Sequence, residues 1–328
     1  MTSFSGDAFR AYVAQARTGR LSLWRVCLGV GLALILSPGL VLLFMLAAGV
    51  VIGLGLHSRV PRATEAQIGD IIRQFVGSPS GAAVQLAAIA AGWGCIWLIV
   101  HLLHRRTVAS VLGAGHRLVW ADFVRAMAAV LIVTALGGWV MSVFDPTPPR
   151  RDVEIDTWIL SSLPFVALLL VQTSAEELVF RGYVAQTLAA RFRNPLVWAG
   201  LPTIIFALLH WDPAATGSAN TIILGSIIVF ALAATLLVYA TGNLGASMGL
   251  HFGNNLMAVL FFSHEGRFDG LSLFVGEPLS ARDWSAGEVV VSVLIGAASM
   301  AVTLALLLHP RSPLRVARDI RSLADEAG

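Results

Sequence analysis

Long apolar stretches recur along the chain and are separated by shorter polar segments. A helix that crosses a bilayer needs about 20 mostly apolar residues, and eight segments come close to that length: 26–56, 81–103, 122–144, 157–180, 196–211, 219–241, 244–263 and 287–308. We expect the fourth helix to continue to about residue 191, and the polar stretch 107–121 to lie along the membrane interface. The pattern predicts an all-α, polytopic membrane helix bundle with about eight transmembrane helices.

Composition supports the same class of protein. Of the 328 residues, 57% are hydrophobic and only 12% are charged, whereas soluble domains carry about 25% charged residues. The net charge of +3 requires no nucleic acid as a partner, because arginines collect at the cytoplasmic rim of membrane proteins. Cys27 and Cys95 both lie in apolar runs, so no disulfide framework is predicted.

The arginines indicate an orientation. All 22 basic residues are arginines, and most lie on segments that share the side of the N-terminus. By the positive-inside rule, both termini are predicted to be cytoplasmic, in a multi-pass protein of the cell (inner) membrane. The absence of lysine is typical of GC-rich coding and favours a bacterial source.

The chain divides into four predicted regions. They are a cytoplasmic N-terminal segment, three spans with the interfacial segment, a helical core that carries unusual polar residues, and an outer loop with the last span and a cytoplasmic tail: 1–25, 26–150, 151–265 and 266–328.

Polar residues inside the core spans form the main functional signal, since ionisable residues there are rare and usually functional. Glu177 and Arg181 are four residues apart and can pair on one helix face. Glu176 points about 100° away from Glu177. One glutamate can therefore be neutralised locally while the other faces a different group; the alternative is that both are structural ion-pair partners.

A histidine on the next span is predicted to face Glu176. The turn between the two spans is centred near residue 193, and Glu176 and His210 lie equally far from it. In an antiparallel hairpin both would therefore lie at the same depth, roughly 20–25 Å from the turn. The alternative is that His210 is an interfacial histidine beside Trp211.

The seventh predicted span combines a packing face with a polar face. Gly245, Gly249 and Gly253 recur at every fourth position, which allows close helix packing. His251 and Asn255 are also four apart, on another face; they either serve a site or form hydrogen bonds between helices. The stretch GASMG matches the G-x-S-x-G pattern, but a serine nucleophile elbow requires a strand before it, and none is predicted here.

Taken together, three motifs resemble those of the CPBP family. They are Glu176-Glu177-x-x-x-Arg181, Phe206-x-x-x-His210 and His251-x-x-x-Asn255. This family contains the type II CAAX prenyl endopeptidases and the bacterial ABI or bacteriocin-processing proteases. The resemblance covers about residues 157–262 and implies hydrolysis of a peptide bond in a membrane-associated protein or peptide.

The resemblance also implies roles for individual residues. Glu176 would be the catalytic carboxylate, Glu177 and Arg181 would support it, and His210 would help to activate water. His251 and Asn255 would complete the site, with Phe206 and Asn254 as supporting residues.

Two mechanisms remain open at the level of sequence. In one, Glu176, His210 and His251 hold a Zn²⁺ ion, which fits the usual ligands of catalytic zinc. In the other, Glu176 and His210 polarise water without a metal, while His251 and Asn255 donate to the oxyanion.

A different class of function also remains open, because buried Glu, Arg and His mark ion pathways as well. A membrane transporter or a non-catalytic scaffold is therefore the alternative to a protease. Many transporters show a repeat that relates their two halves, and the sequence contains none.

Overall fold

A computed structural model describes the following parts of the chain: residues 6–59, 67, 74–75, 78–143, 150–213, 215–265, 269–281 and 283–319. The helices of these parts, numbered in chain order, are α1 Asp7–Arg17, α2 Leu23–Arg59, α3 Pro79–Ala90, α4 Gly92–Leu102, α5 Ala109–Leu112, α6 Trp120–Met141, α7 Ile155–Arg191, α8 Leu196–Leu208, α9 Gly217–Thr241, α10 Gly245–Leu256 and α11 Ala286–Leu308. Two short parallel strands, β1 Phe262–His264 and β2 Phe274–Gly276, pair with Phe262 opposite Phe274.

The prediction of a helical membrane bundle is confirmed. Among the described residues, five segments are long and apolar enough to cross a membrane: Pro79–Leu102, Trp120–Val140, Ile155–Arg191, Gly217–Thr241 and Ala286–Leu308. Three predicted spans, 26–56, 196–211 and 244–263, are not among these five. At 1.5 Å per residue, α8 is about 20 Å long, and α10 together with the π-helical turn Met257–Phe261 that continues it is about 25 Å long; both are shorter than the hydrocarbon core. The number of eight spans therefore stays a prediction.

Helix α7 runs without interruption from Ile155 to Arg191, as expected for the fourth helix. It continues through Pro164 and changes to a π-helical turn over Leu178–Ala185. Single π-helical turns inside α-helices often occur at functional sites. Here the turn begins directly after Glu177 and contains Arg181, so the predicted catalytic motif extends into it.

The three glycines of α10 pack against α6. A Cβ atom added to Gly245 or Gly249 would collide with the carbonyl oxygen of Val119 or Phe123, and one on Gly253 would lie 2.5 Å from Cγ1 of Val130. The predicted small-residue stripe therefore does allow two backbones to approach closely. This contact fixes the helix that carries His251.

The segment 107–121 packs against the protein, and its predicted place along the membrane interface stays a prediction. It forms the short helix α5, and Val111 and Ala114 are buried. Its backbone is hydrogen-bonded to the turn after α9, with Leu244 N–H donating to the carbonyl of Leu112 at 2.9 Å. Because these carbonyl and amide groups find partners in that turn, the segment closes one end of the bundle.

Both terminal segments contact that same closing segment. The Tyr12 hydroxyl of α1 donates to the Val111 carbonyl at 2.7 Å. Near the other terminus, the Asp319 carboxylate accepts from Gly115 N–H and from the Asn243 carboxamide, both at 3.0 Å. The two segments thus lie at one end of the bundle, while the side of the membrane stays a prediction.

Candidate active site

Glu177 lies at the centre of a buried polar cluster. Its side chain is fully buried, and its Oε1 accepts hydrogen bonds from Arg181 Nη1 at 2.8 Å and from His251 Nδ1 at 2.9 Å. A buried carboxylate is tolerated when charged or polar donors surround it in this way. The predicted i,i+4 pair therefore exists, and it is joined by a histidine 74 residues further along the chain.

The contact with Glu177 orients the imidazole of His251. Because an ionised carboxylate only accepts hydrogen bonds, Nδ1 of His251 carries a proton and donates it to Glu177. The other ring nitrogen, Nε2, lies 3.5 Å from Oε2 of Glu176. The side chain of Glu176 is 16% exposed whereas that of Glu177 is fully buried. The two adjacent glutamates thus occupy different environments, as predicted from their helical spacing.

Aromatic rings enclose the cluster. The guanidinium carbon of Arg181 lies 4.5 Å from the ring centroid of Phe206 and 5.8 Å from that of Phe230. Such cation–π contacts suit a desolvated arginine. The His251 ring meets Phe230 edge-on, with centroids 4.8 Å apart. Phe206 was predicted from its motif, but Phe230 was not, because nothing distinguishes it from the other apolar residues of α9.

His210 lies just beyond the end of its helix, and its predicted position opposite Glu176 stays a prediction. Helix α8 ends at Leu208, so His210 lies in the turn that follows, where its Nδ1 donates to the Phe206 carbonyl at 2.8 Å. Such carbonyls at a helix end lack partners within the helix. In the described part of the chain, His210 forms neither a hydrogen bond nor an ion pair with Glu176, whose neighbour is instead His251.

The two asparagines of the third motif lie beyond His251 on α10. Both are partly buried, and Asn254 donates to the Asn255 side chain at 3.3 Å. Asn255 is one turn from His251 and therefore shares its helix face. No contact from either asparagine to Glu176 or His251 is recorded in the described residues, so their predicted roles stay predictions.

The predicted zinc ligands do not form a ligand group in this structure. Among the residues described, no three His, Cys, Asp or Glu side chains are placed to hold a metal ion together. His251 does have an orientation that metal-binding histidines adopt, with one ring nitrogen on a carboxylate. Glu176, His210 and His251 would need to move together to bind zinc.

One further polar residue lies beside the cluster. Gln172 is buried one turn before Glu176, and its Oε1 has no hydrogen-bond partner among the described residues. Oε2 of Glu177 and Nη2 of Arg181 are also buried and have no hydrogen-bond partner among the described residues. Unpaired buried polar atoms are costly and need an explanation. The sequence contained Gln172 in its polar motif but gave no reason to single it out.

Serine chemistry has no support from the surroundings of Ser247, the serine of the GASMG stretch. Ser247 is buried in the first turn of α10, and its hydroxyl donates to the carbonyl of Leu244 at 3.0 Å. The surrounding segment is helical, without the strand that a nucleophile elbow requires.

Comparison with known proteins agrees with the motifs. The family model described as Type II CAAX prenyl endopeptidase Rce1-like matches residues 158–257. The uncharacterized protein YyaK of Bacillus subtilis (strain 168) is 24% identical over 178 residues. That alignment covers 53% of this chain and 59% of YyaK, so the chain spans less than two thirds of this relative. No solved structure matches the chain. Residues 158–257, which include all three motifs, are therefore similar to the Rce1-like family of type II CAAX prenyl endopeptidases.

Proposed function

We propose that the protein is an intramembrane endopeptidase of the CAAX type that cleaves a membrane-associated protein or peptide, with Glu176 as the base that activates water. The observation that carries this proposal is the difference between the two adjacent glutamates. Glu177 is buried and bound to Arg181 and His251, whereas Glu176 is partly exposed and its Oε2 lies 3.5 Å from Nε2 of His251. A base that acts on water must be reachable by water, and of the two adjacent glutamates Glu176 is the one whose side chain is partly exposed.

In the proposed reaction, Glu176 takes a proton from water while the water oxygen attacks the peptide carbonyl carbon. The carbonyl π bond opens and leaves a tetrahedral intermediate with a negatively charged oxygen. When the C–N bond breaks, the proton passes from Glu176 to the leaving nitrogen, and a carboxylic acid and an amine result. Nε2 of His251 lies 3.5 Å from Oε2 of Glu176, and Glu177 fixes the orientation of the His251 ring.

The remaining roles rest on the family resemblance. His210 would assist in polarising the water, and Asn255 would donate to the oxyanion with His251. A Zn²⁺ ion on Glu176, His210 and His251 is the alternative proposal for activating water. Metal analysis of the purified protein, with activity measured after chelation, tests it: full activity in a metal-free sample excludes the zinc version.

We further propose the cell membrane as the location, with both termini cytoplasmic, from the distribution of arginines. The apolar helices and the matched family support a membrane protein with a peptide substrate in or beside the bilayer.

The near-isosteric change Glu176→Gln tests the catalytic assignment. We expect cleavage to fall by about 10²–10⁴-fold, the usual contribution of a general base, while the melting temperature stays that of the wild type. Comparing the membrane proteomes of cells that carry wild-type or Glu176→Gln protein would identify the substrate, which then serves for the kinetic assay.

Glu177→Gln is the matched control. It removes the same charge one residue away, from a buried carboxylate with two donors, so we expect it to lower thermal stability as well as activity. Retained cleavage by Glu176→Gln would exclude the proposed mechanism. An unchanged proteome with both variants would favour a transporter or a scaffold.

A further inference from the structure

A cavity of about 520 Å³ lies at the C-terminal end of α4. Its walls are formed by five residues in one stretch of chain: His101, Leu102, Arg105, Arg106 and Thr107. None of them belongs to the cluster around Glu177, and the proposed peptidase mechanism does not use them.

The cavity lies where a candidate membrane span ends. The span Pro79–Leu102 finishes at its wall, and Leu102 is 64% exposed. Trp97, one turn earlier, is 54% exposed and stacks on the His101 ring with centroids 5.8 Å apart. Exposed tryptophans collect at the boundary between hydrocarbon and headgroups. One wall of the cavity is therefore continuous with a surface that faces lipid tails.

The other wall carries positive charge. Arg105 is exposed and has a φ of 52°, a left-handed conformation that is unfavourable for a residue with a Cβ. Arg106 is buried, and its guanidinium donates to the neutral side chains of Gln186 at 2.8 Å and Thr187 at 3.3 Å. Burial lowers the pKa of Arg106 to about 10, so it stays protonated at neutral pH.

These two charges lack a counter-charge within the described protein. Neither Arg105 nor Arg106 forms an ion pair with a carboxylate among the described residues, and no acidic residue lines the cavity. A buried cation without an anion is costly. An external anion at this position would offset that cost, and arginine guanidinium groups are suited to phosphate oxygens.

We propose that this cavity binds the phosphate group of an anionic membrane phospholipid. Arg105, His101 and Thr107 contact the headgroup, Arg106 adds charge from behind, and an acyl chain lies along Leu102. Basic pockets between membrane helices bind lipid headgroups in this manner. The apolar wall favours a lipid over free phosphate, since inorganic phosphate would leave Leu102 without a partner.

The test compares three ligands on the full-length protein purified in a neutral detergent. Phosphatidylglycerol is the anionic lipid, phosphatidylcholine the zwitterionic one, and inorganic phosphate the free anion. Because Arg106 also holds α7 through Gln186, occupancy should raise the melting temperature. We expect a concentration-dependent rise with phosphatidylglycerol and little or none with the other two.

Arg105→Gln should weaken the apparent affinity for phosphatidylglycerol about fivefold, the usual effect of one arginine near an anionic lipid surface. Arg17→Gln is the matched control, because Arg17 is an exposed arginine of α1 outside the cavity. If Arg105→Gln does not fold, His101→Gln provides the second variant.

Three results would overturn the proposal. Equal shifts with both lipids would exclude a charge-specific site, and equal losses in the Arg105 and Arg17 variants would exclude this cavity. A shift with inorganic phosphate as large as that with phosphatidylglycerol would assign the cavity to free phosphate instead of lipid.

Discussion

A single carboxylate oxygen of Glu177 holds two functional groups in place. Oε1 accepts one hydrogen bond from Arg181, one turn further along α7, and another from His251 on α10. The arginine compensates the charge in an apolar environment, and the histidine acquires a fixed tautomer. Glu177 thus supports Glu176 as the proposed base while its own side chain stays buried.

Removing the arginine should show how much the charge compensation contributes. We expect Arg181→Met to destabilise the protein by about 3–5 kcal/mol, because it removes the arginine that compensates the buried carboxylate of Glu177. Thermal or denaturant unfolding in detergent measures the change. The double variant Glu177→Gln/Arg181→Met removes the charge as well and should recover part of the loss. Equal stability of the single and double variants would mean that packing of Arg181 between Phe206 and Phe230 is responsible.

Some of these residue contacts could be predicted from sequence and others could not. The pairing of Glu177 with Arg181 follows from helical spacing alone. The bond from His251 to Glu177 depends on how two distant helices pack, which no local pattern specifies. His210 was placed by assuming that its helix continued past Leu208, but the backbone turns there and the ring binds its own helix end.

Among the elements, α10 is positioned by its contact with α6. The glycines on one face allow the backbones to meet, and His251 emerges on another face toward α7. The depth of His251 relative to Glu176 is therefore set by the contact between α6 and α10, which lies outside the hairpin of α7 and α8.

Adding one methyl group at this contact should be costly. A Cβ at position 249 collides with the backbone carbonyl of Phe123, which cannot rotate away. We expect Gly249→Ala to destabilise by roughly 1–3 kcal/mol and to reduce cleavage, because it displaces His251. Melting temperature and cleavage rate measure the two effects.

Gly137→Ala in α6 is the matched control, since nothing lies within 4 Å of its added Cβ. This substitution should be neutral or stabilise by up to about 1 kcal/mol, the helix-propensity difference. A Gly249→Ala protein as stable as Gly137→Ala would show that the contact between α6 and α10 can relax.

Element types were easier to predict than element ends. Long apolar runs identify helices, and the glycine period predicted close packing, though not that α6 was the partner. The π-helical turn Leu178–Ala185 had no signal, because its hydrogen-bond shift requires no special residue. The end of α8 at Leu208 was also missed, since apolar residues continue beyond the point where the backbone turns.

At the scale of the whole molecule, His104 joins three regions of the chain. Its ring is fully buried between the Arg20 carbonyl and the Tyr183 hydroxyl, each 2.7 Å away. Nδ1 donates to the carbonyl, so Nε2 accepts from the tyrosine, and the ring is neutral. Burial lowers the pKa of His104; the hydrogen bond to the Arg20 carbonyl opposes this with a smaller effect, and the nearby charges of Arg106 and Arg25 lower the pKa further.

This arrangement predicts an acid sensitivity. The unfolded histidine has a pKa of about 6.5, and the folded one is lower, so the unfolded state binds the proton first as pH falls. The stabilisation is complete above about pH 6.5 and is lost progressively below it. Melting temperatures between pH 7.5 and 5 should therefore decline more steeply for wild type than for His104→Gln. Parallel profiles would assign the sensitivity to other groups.

The overall class of the molecule was accessible from sequence, whereas its internal connections were not. Apolar content predicts a membrane bundle directly. The first 150 residues carried no recognisable motif, yet Tyr12, Arg106 and Ser110 all contact α7 or the turn within it. In each of these contacts at least one partner is a backbone group or a neutral side chain, which leaves no pattern in a single sequence.

The contacts of Tyr12 and Gln186 have a consequence for exchanging parts between related proteins. The Tyr12 hydroxyl lies 3.3 Å from the Gly182 carbonyl, and the Gln186 carboxamide donates to the carbonyls of Tyr12 at 2.9 Å and Ser110 at 2.8 Å. Residues outside the region that matches the peptidase family thus supply hydrogen-bond partners to residues within that region. Transplanting residues 158–257 into another membrane protein would leave Gln186 without acceptors, unless the recipient supplied carbonyls at both positions.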